Sequence, residues 1–174
     1  TDNWPTSLEG YRLVLLAVPG CADDDDTFLD GEVAALSAFL AGGGTLFIEN
    51  EKAYFAGTVV INDLLVRIGS GIRQRSDTIG SGGYYGVLTS DLGSHPLLAG
   101  ISKLGFGEAS LVVANGATEL VRYDGDCVMA AEAVGAGTLV VAGDQQFLDD
   151  HALESYPPDG AHNLLLADNL ARLR

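Results

Sequence analysis

The sequence predicts a three-layer α/β fold, with a mainly parallel sheet between helices and an antiparallel hairpin near the C-terminus. Three observations predict it. A strand, a helix and a second strand follow one another between Tyr11 and Asn50, a spacing that implies a parallel pair joined by a right-handed crossover. Four β-like runs then succeed one another across residues 109–142, and a helix with an apolar face closes the chain. No internal repeat or long linker interrupts the 174 residues, so 1–174 is expected to be a single α/β domain, complete or cut from a longer protein.

Leu13 to Val18 is a continuous apolar run closed by Pro19-Gly20, the pattern of a strand buried on both faces of a parallel sheet. Val33, Leu36, Phe39 and Leu40 recur at the spacing of one helix face. Thr27 or Asp30 is expected to cap that helix, and Gly42 to close it. Thr45 to Ile48 is a second buried strand, ending in Glu49-Asn50-Glu51. Asn62 to Ile68 suggests a short helix and Gly71 to Arg75 a strand. The Gly80 to Gly86 stretch lacks the Lys-Ser/Thr of a phosphate loop and is expected to be a flexible connection. His95 to Ile101 reads as a turn with an apolar anchor. Ala109 to Ala114, Glu119 to Tyr123, Cys127 to Val134 and Thr138 to Ala142 read as strands. The Gly135-Ala136-Gly137 step between the last two signals a hairpin. The final helix, Ala161 to Arg172, is expected to bury Leu164, Leu165, Leu170 and Leu173 or their neighbours.

Composition narrows the function classes. Twenty-four acidic residues against nine basic ones give a formal charge of −15. Such a field repels nucleic-acid phosphates and anionic lipid headgroups, so neither partner is expected. The longest apolar runs fall well short of the roughly 20 residues that a membrane helix needs, and no membrane insertion is expected. The chain opens at Thr1 without a basic stretch followed by an apolar one, so any targeting signal is expected to lie outside this sequence. Two cysteines, Cys21 and Cys127, match no zinc spacing and read as partly buried thiols unless their strands end side by side.

The candidate site follows from the strand ends, because open α/β sheets bind ligands at the carboxyl ends of their strands. Cys21 stands past the first strand, Glu49 and Asn50 past the second, and Asp144 and Gln145 past the last. These five are the candidate ligand contacts. No residue carries a catalytic assignment. Four carboxylates directly follow Cys21, and neighbouring negative charge removes the thiolate a nucleophile needs. His95, His151 and His162 are scattered over loops. Asp23, Asp24, Asp25 and Asp26 offer oxygens to a Ca²⁺ ion, the one cofactor with a candidate place here. EF-hand spacing is absent and consecutive residues point apart, which favours a solvated acidic loop. Asp144 is positioned to cap the turn that Gln145 to Leu148 suggests.

Five segments in this order carry a resemblance: Tyr11 to Leu16; Glu32 to Leu46, with its Gly42-Gly43-Gly44-Thr45-Leu46 step; His95 to Ile101; Gly137 to Leu148, with Gly143-Asp144-Gln145-Gln146-Phe147-Leu148; and Asn163 to Leu170. Together they resemble class I glutamine-amidotransferase-like domains. The similarity is greatest to the non-catalytic branch in gliding-motility and intraflagellar-transport proteins and in the middle domain of some β-galactosidases. It implies a flavodoxin-like three-layer sheet and an interaction or ligand-binding role, with a protein partner or other domains of the same polypeptide. Two departures stand out. Such domains usually carry a strand and helix ahead of the unit that begins here at Tyr11. Active members also carry a Gly-x-Cys-x-Gly elbow, whereas Cys21 has neither flanking glycine in place. Two further classes remain open: a hydrolase or amidotransferase-type enzyme with another nucleophile, and an Asp-rich extracellular domain stabilised by calcium.

Overall fold

The computed structural model describes residues 5, 7–17, 27–51, 57–80, 86–148 and 161–173. Its elements in chain order are β1 (Leu13–Ala17), α1 (Asp30–Ala41), β2 (Thr45–Glu49), α2 (Thr58–Arg67), β3 (Arg73–Gly80), β4 (Val87–Thr89), β5 (Asp91–Leu92), β6 (Leu104–Phe106), β7 (Glu108–Val113), β8 (Thr118–Tyr123), β9 (Asp126–Val134), β10 (Gly137–Ala142) and α3 (Asn163–Arg172). Short 3-10 turns occupy Pro96–Leu98 and Gln145–Phe147.

The main sheet has six strands in the order β1-β2-β10-β9-β8-β5. It is mixed, which corrects the mainly parallel expectation. β1, β2 and β10 run parallel, whereas β10 with β9, β9 with β8, and β8 with β5 are antiparallel. Connection length is the cause. Two-residue links, Asp124-Gly125 and Gly135-Ala136, join β8 to β9 and β9 to β10, and a parallel return needs a crossover of a dozen residues or more. Two antiparallel ribbons, β3 with β7 and β4 with β6, lie outside the main sheet.

Side-chain alternation along the central strands feeds two cores. Leu46, Ile48, Leu139 and Val141 face Leu36 and Leu40 of α1 and Ile61, Leu64 and Leu65 of α2. Phe47, Val140 and Ala142 face Leu166 and Leu170 of α3, together with Leu97, Phe106 and Phe147. Phe106 stacks on Phe147 with ring centroids 5.4 Å apart.

Several local expectations are corrected. Among the described residues β1 is an edge strand and not a central one; Leu15 is 52% exposed, since a run of apolar residues does not encode how many neighbours will pair with it. The N-cap of α1 is Leu29, whose N–H is held by the Glu32 carboxylate at 2.8 Å. Asp30 lies inside the first turn, where it meets the Arg67 guanidinium at 2.5 Å. Arg67 also donates to Phe28 O at 2.6 Å, so one side chain ties the start of α1 to the end of α2. At the other end of α1 the left-handed residue is Gly43, with φ +90°, one position beyond Gly42. In α3, Leu164 points outward and is 64% exposed, while Asn163, Leu166 and Leu170 are buried. Asn163 sets that phase: its Nδ2 donates to Gly105 O at 2.8 Å and Phe147 O at 3.0 Å, and its Oδ1 accepts from Gly105 N at 2.9 Å. A fully satisfied amide thus occupies a core position that hydrophobic periodicity leaves out. The Gly80 to Gly86 connection lies mostly outside the described residues.

Leu36 is fully buried under the crossover helix, so Leu36→Ala should cost about 2–5 kcal/mol in urea unfolding. A second expectation concerns acid. His95 Nδ1 accepts from Leu97 N at 3.2 Å, capping the Pro96–Leu98 turn, and burial lowers the pKa of this imidazole below its ordinary 6.5. The unfolded chain therefore takes up the proton first. The stabilisation is complete above the ordinary value and is lost as pH falls through the lowered one. The melting temperature should drop on acidification across the histidine range, and His95→Asn, which retains an acceptor, should flatten that part of the profile.

Candidate functional site

Strand register builds the rim. Ala17 pairs with Glu49 and Glu49 with Ala142, so β1, β2 and β10 end together, and the chain leaves the sheet as Glu49-Asn50-Glu51 and Gly143-Asp144-Gln145. Asn50 N–H donates to Ala142 O at 3.0 Å, extending the parallel ladder one residue past both strands.

Alternation then divides the candidate residues between the two faces. Glu49 shares the Phe47 face of β2, toward α3, while Asn50 follows Ile48 toward α2. On that second face lies a buried amide network. Asn50 Nδ2 donates to Gln74 Oε1 at 2.5 Å, and Gln74 Nε2 donates to Ala142 O at 3.2 Å. Asn62 of α2 exchanges two bonds with the Gln74 main chain, Nδ2 to O at 2.9 Å and N to Oδ1 at 2.8 Å. The network clamps α2, β3 and the ends of β2 and β10 together. Asn50 Oδ1, buried, has no hydrogen-bond partner among the described residues.

Asp144 belongs to the other face and is fully buried. Its Oδ1 accepts from Gln146 N at 2.9 Å, capping the 3-10 turn, and its Oδ2 accepts from Gly107 N at 2.6 Å, at the bend between β6 and β7. Each carboxylate oxygen therefore meets a main-chain donor, the charge-assisted kind of hydrogen bond. Close by, β7 crosses the end of β10: Ser110 N donates to Gly143 O at 2.8 Å and Gly143 N to Val128 O at 2.9 Å. A Cβ on Gly143 would stand 1.9 Å from Ser110 O, so only glycine permits this crossing. The Ser110 hydroxyl donates to Glu51 O at 2.8 Å. Gln145 opens the 3-10 turn and is half-buried.

The structure thus gathers Glu49, Asn50, Asp144 and Gln145 at one rim and separates Asn50 from Glu49 and Asp144 by the thickness of the sheet. Cys21, Asp23, Asp24, Asp25, Asp26 and His151 lie outside the described residues. Sequence reasoning missed Gln74, Asn62 and Ser110. Ser110 and Asn62 gave one signal, a polar residue among apolar ones in a strand or helix, whereas Gln74 sits between two arginines in a polar strand and gave none.

The described cysteine and histidines are engaged within the fold. Cys127 is a free, buried thiol that donates to Met129 O at 3.2 Å. Burial, reinforced by the Glu119 charge, pushes its pKa up to about 12, far from the thiolate that reactivity requires. His95 and His162 each use Nδ1 to accept a main-chain N–H, from Leu97 and from Ser102 at 3.2 Å. Among the described residues, no three His, Cys, Asp or Glu side chains cluster as metal ligands. No helix there is long and apolar enough to cross a membrane.

No protein-family model and no curated protein matches the sequence. Several solved structures share the fold. The mmIFT52 N-terminal domain aligns at TM-score 0.64 with 20% identity, over 92% of this chain and 76% of that one. A cytoplasmic protein from Salmonella typhimurium LT2 aligns at TM-score 0.71 with 12% identity, over 98% and 76%. A β-galactosidase from Bacillus circulans sp. alkalophilus aligns at TM-score 0.54 with 20% identity, over 93% of this chain but 22% of the enzyme. At such identities the likeness is one of fold.

The Asp144 geometry carries a consequence for substitution. Asparagine offers one acceptor oxygen where two N–H groups converge, and its amide would face the other donor. Asp144→Asn and Asp144→Ala should both destabilise, by about 1–3 kcal/mol, the cost of leaving a buried donor unpaired. Urea unfolding of the two variants measures it.

Proposed function

We propose that the chain is a non-catalytic module of the class I glutamine-amidotransferase-like kind, with that family's three-layer, flavodoxin-like arrangement, and that it works by association within a larger protein or assembly. One observation carries the reading. β1 has the composition of an interior strand, Leu-Val-Leu-Leu-Ala, yet among the described residues it pairs on one side only, with β2. Edge strands that stay solvated are usually guarded by charge, proline or a bulge, and none of these interrupts Leu13–Ala17. Just before β1, a groove of roughly 520 Å³ lies between the segment Ser7 to Tyr11 and α1, with Leu8, Tyr11, Ala35, Ala38 and Phe39 among its walls. Strand and groove together suit an added extended segment, from another part of the same polypeptide or from a protein partner, seated by main-chain hydrogen bonds and apolar contacts.

The rim has a subordinate place in this reading. Its residues brace the strand ends, and among the described residues Asn50 Oδ1 and Gln146 Oε1 are buried acceptors that a donor group of a ligand could meet. Likeness to the mmIFT52 domain and to part of a β-galactosidase supports an interaction role through fold analogy alone.

Hydrogen exchange separates this reading from its rivals. In the larger protein or assembly, the Leu13–Ala17 amides should exchange more slowly than in the isolated chain. Leu15→Lys should weaken the association by about tenfold or more, as expected when a leucine-sized apolar surface is no longer buried, with little change in the chain's own unfolding. Equal exchange of β1 in both settings would reject the proposal.

A further inference from the structure

The chain contains one Asn-Gly pair, Asn115-Gly116, and the structure places it in the exposed turn between β7 and β8. Ala117 N donates to Ala114 O at 3.0 Å, and φ is +50° at Asn115 and +97° at Gly116, the left-handed pair of a type I′ turn. Gly116 is exposed and carries no side chain, and a Cβ built on it would meet nothing within 4 Å, so no side chain of its own or of a neighbour crowds this residue. Asn115 also holds the turn in place, since its Nδ2 donates to Gly71 O at 2.9 Å. Gly71 is also held by the Glu132 carboxylate, which accepts the Gly71 N–H at 3.0 and 3.3 Å and the Ser70 hydroxyl as well.

We propose that Asn115 is a site of spontaneous covalent modification, and that its conversion to a carboxylate releases the turn from the α2–β3 connection. The deprotonated main-chain nitrogen of Gly116 adds to Cγ of Asn115. The new N–Cγ bond closes a five-membered imide, the Cγ–Nδ2 bond breaks, and Nδ2 leaves as ammonia carrying a proton from water. Water then opens the ring. Addition at Cγ returns an ordinary aspartate, whereas addition at the main-chain carbonyl leaves isoaspartate, with the chain rerouted through Cβ and Cγ.

Either product replaces the donor on Gly71 O by an anion. Two acceptors then face each other, and the new charge joins that of the Glu132 carboxylate, which bonds the same residue, so the lost bond has no substitute. Isoaspartate further lengthens the main chain of a turn whose two central residues must both be left-handed. Asn50, Asn62, Asn163 and Asn169 are each followed by a residue bearing a side chain, which screens the attacking nitrogen. Unlike Asn115, none of the four is exposed: Asn50 and Asn163 are buried, and Asn62 and Asn169 half-buried.

The test incubates the intact folded chain at mildly alkaline pH and follows each asparagine peptide by mass spectrometry. The gain that accompanies exchange of an amide for an acid should accumulate first at Asn115, with faster hydrogen exchange at residues 70–74 of the converted fraction. Asn115→Asp should show the faster exchange without incubation, and Gly116→Ala should slow the mass gain. Should either variant fold poorly, the converted fraction of the unmutated chain gives the same readout. An unchanged Asn115 over a period that converts a short Ala-Asn-Gly-Ala peptide would overturn the proposal. So would conversion that leaves exchange at residues 70–74 unaltered.

Discussion

The parallel pairing of β2 with β10 is the constraint on which the remaining architecture depends. Thr45 pairs with Thr138, and the register runs without a shift to Glu49 and Ala142. Leu46, Phe47 and Ile48 of β2, like Leu139, Val140, Val141 and Ala142 of β10, are wholly buried. Alternation of these side chains decides which cluster faces α1 and α2 and which faces α3. A one-residue slip would exchange the two sets and disrupt both cores. Main-chain bonds fix the register at both ends, with Thr138 N donating to Gly44 O at 3.1 Å and Asn50 N to Ala142 O at 3.0 Å. Close approach fixes it again: a Cβ on Gly137 would stand 2.4 Å from Gly44 O and 2.5 Å from Leu40 O. The descent of α1 onto the sheet therefore requires glycine at that point.

From that pair outward, long-range polar contacts add to the apolar packing. α2 is fastened by Asn62 to the Gln74 main chain and by Arg67 to Phe28 and Asp30. α3 is fastened by Asn163 to Gly105 and Phe147, and by Asn169 to Leu97 O and Ala99 O at 2.9 Å. Asp144 joins the β6–β7 bend to the turn after β10. A buried amide or carboxylate with all its bonds made tolerates little displacement, so these contacts fix positions that nondirectional hydrophobic burial leaves loose.

That division explains what could be read from the residues. α1, β2, β10 and the α/β class were legible because burial imprints its period on the sequence, as at Val33, Leu36, Phe39 and Leu40. The place of β1 was not legible: Leu13 to Ala17 has interior composition, and nothing within five residues reports a missing neighbour. The phase of α3 was misread because Asn163, a polar residue, holds a core position. At the rim, Glu49, Asn50, Asp144 and Gln145 could be named, since each follows an apolar run. Their separation onto two faces needed the register, and Gln74, Asn62 and Ser110 needed the tertiary contacts that bury them.

The order of strands also divides the molecule by the distance along the chain over which contacts must form. β8, β9 and β10 form a meander closed by two-residue turns, so its ladders assemble from neighbours in sequence. β10 must also accept β2, about ninety positions earlier, and loop closure over such a length slows assembly. One strand therefore belongs to both a local and a distant pairing. The meander pairs β10 with chain neighbours, whereas the seam between β2 and β10 carries the cost of closing the long intervening chain, and both cores are built across that seam.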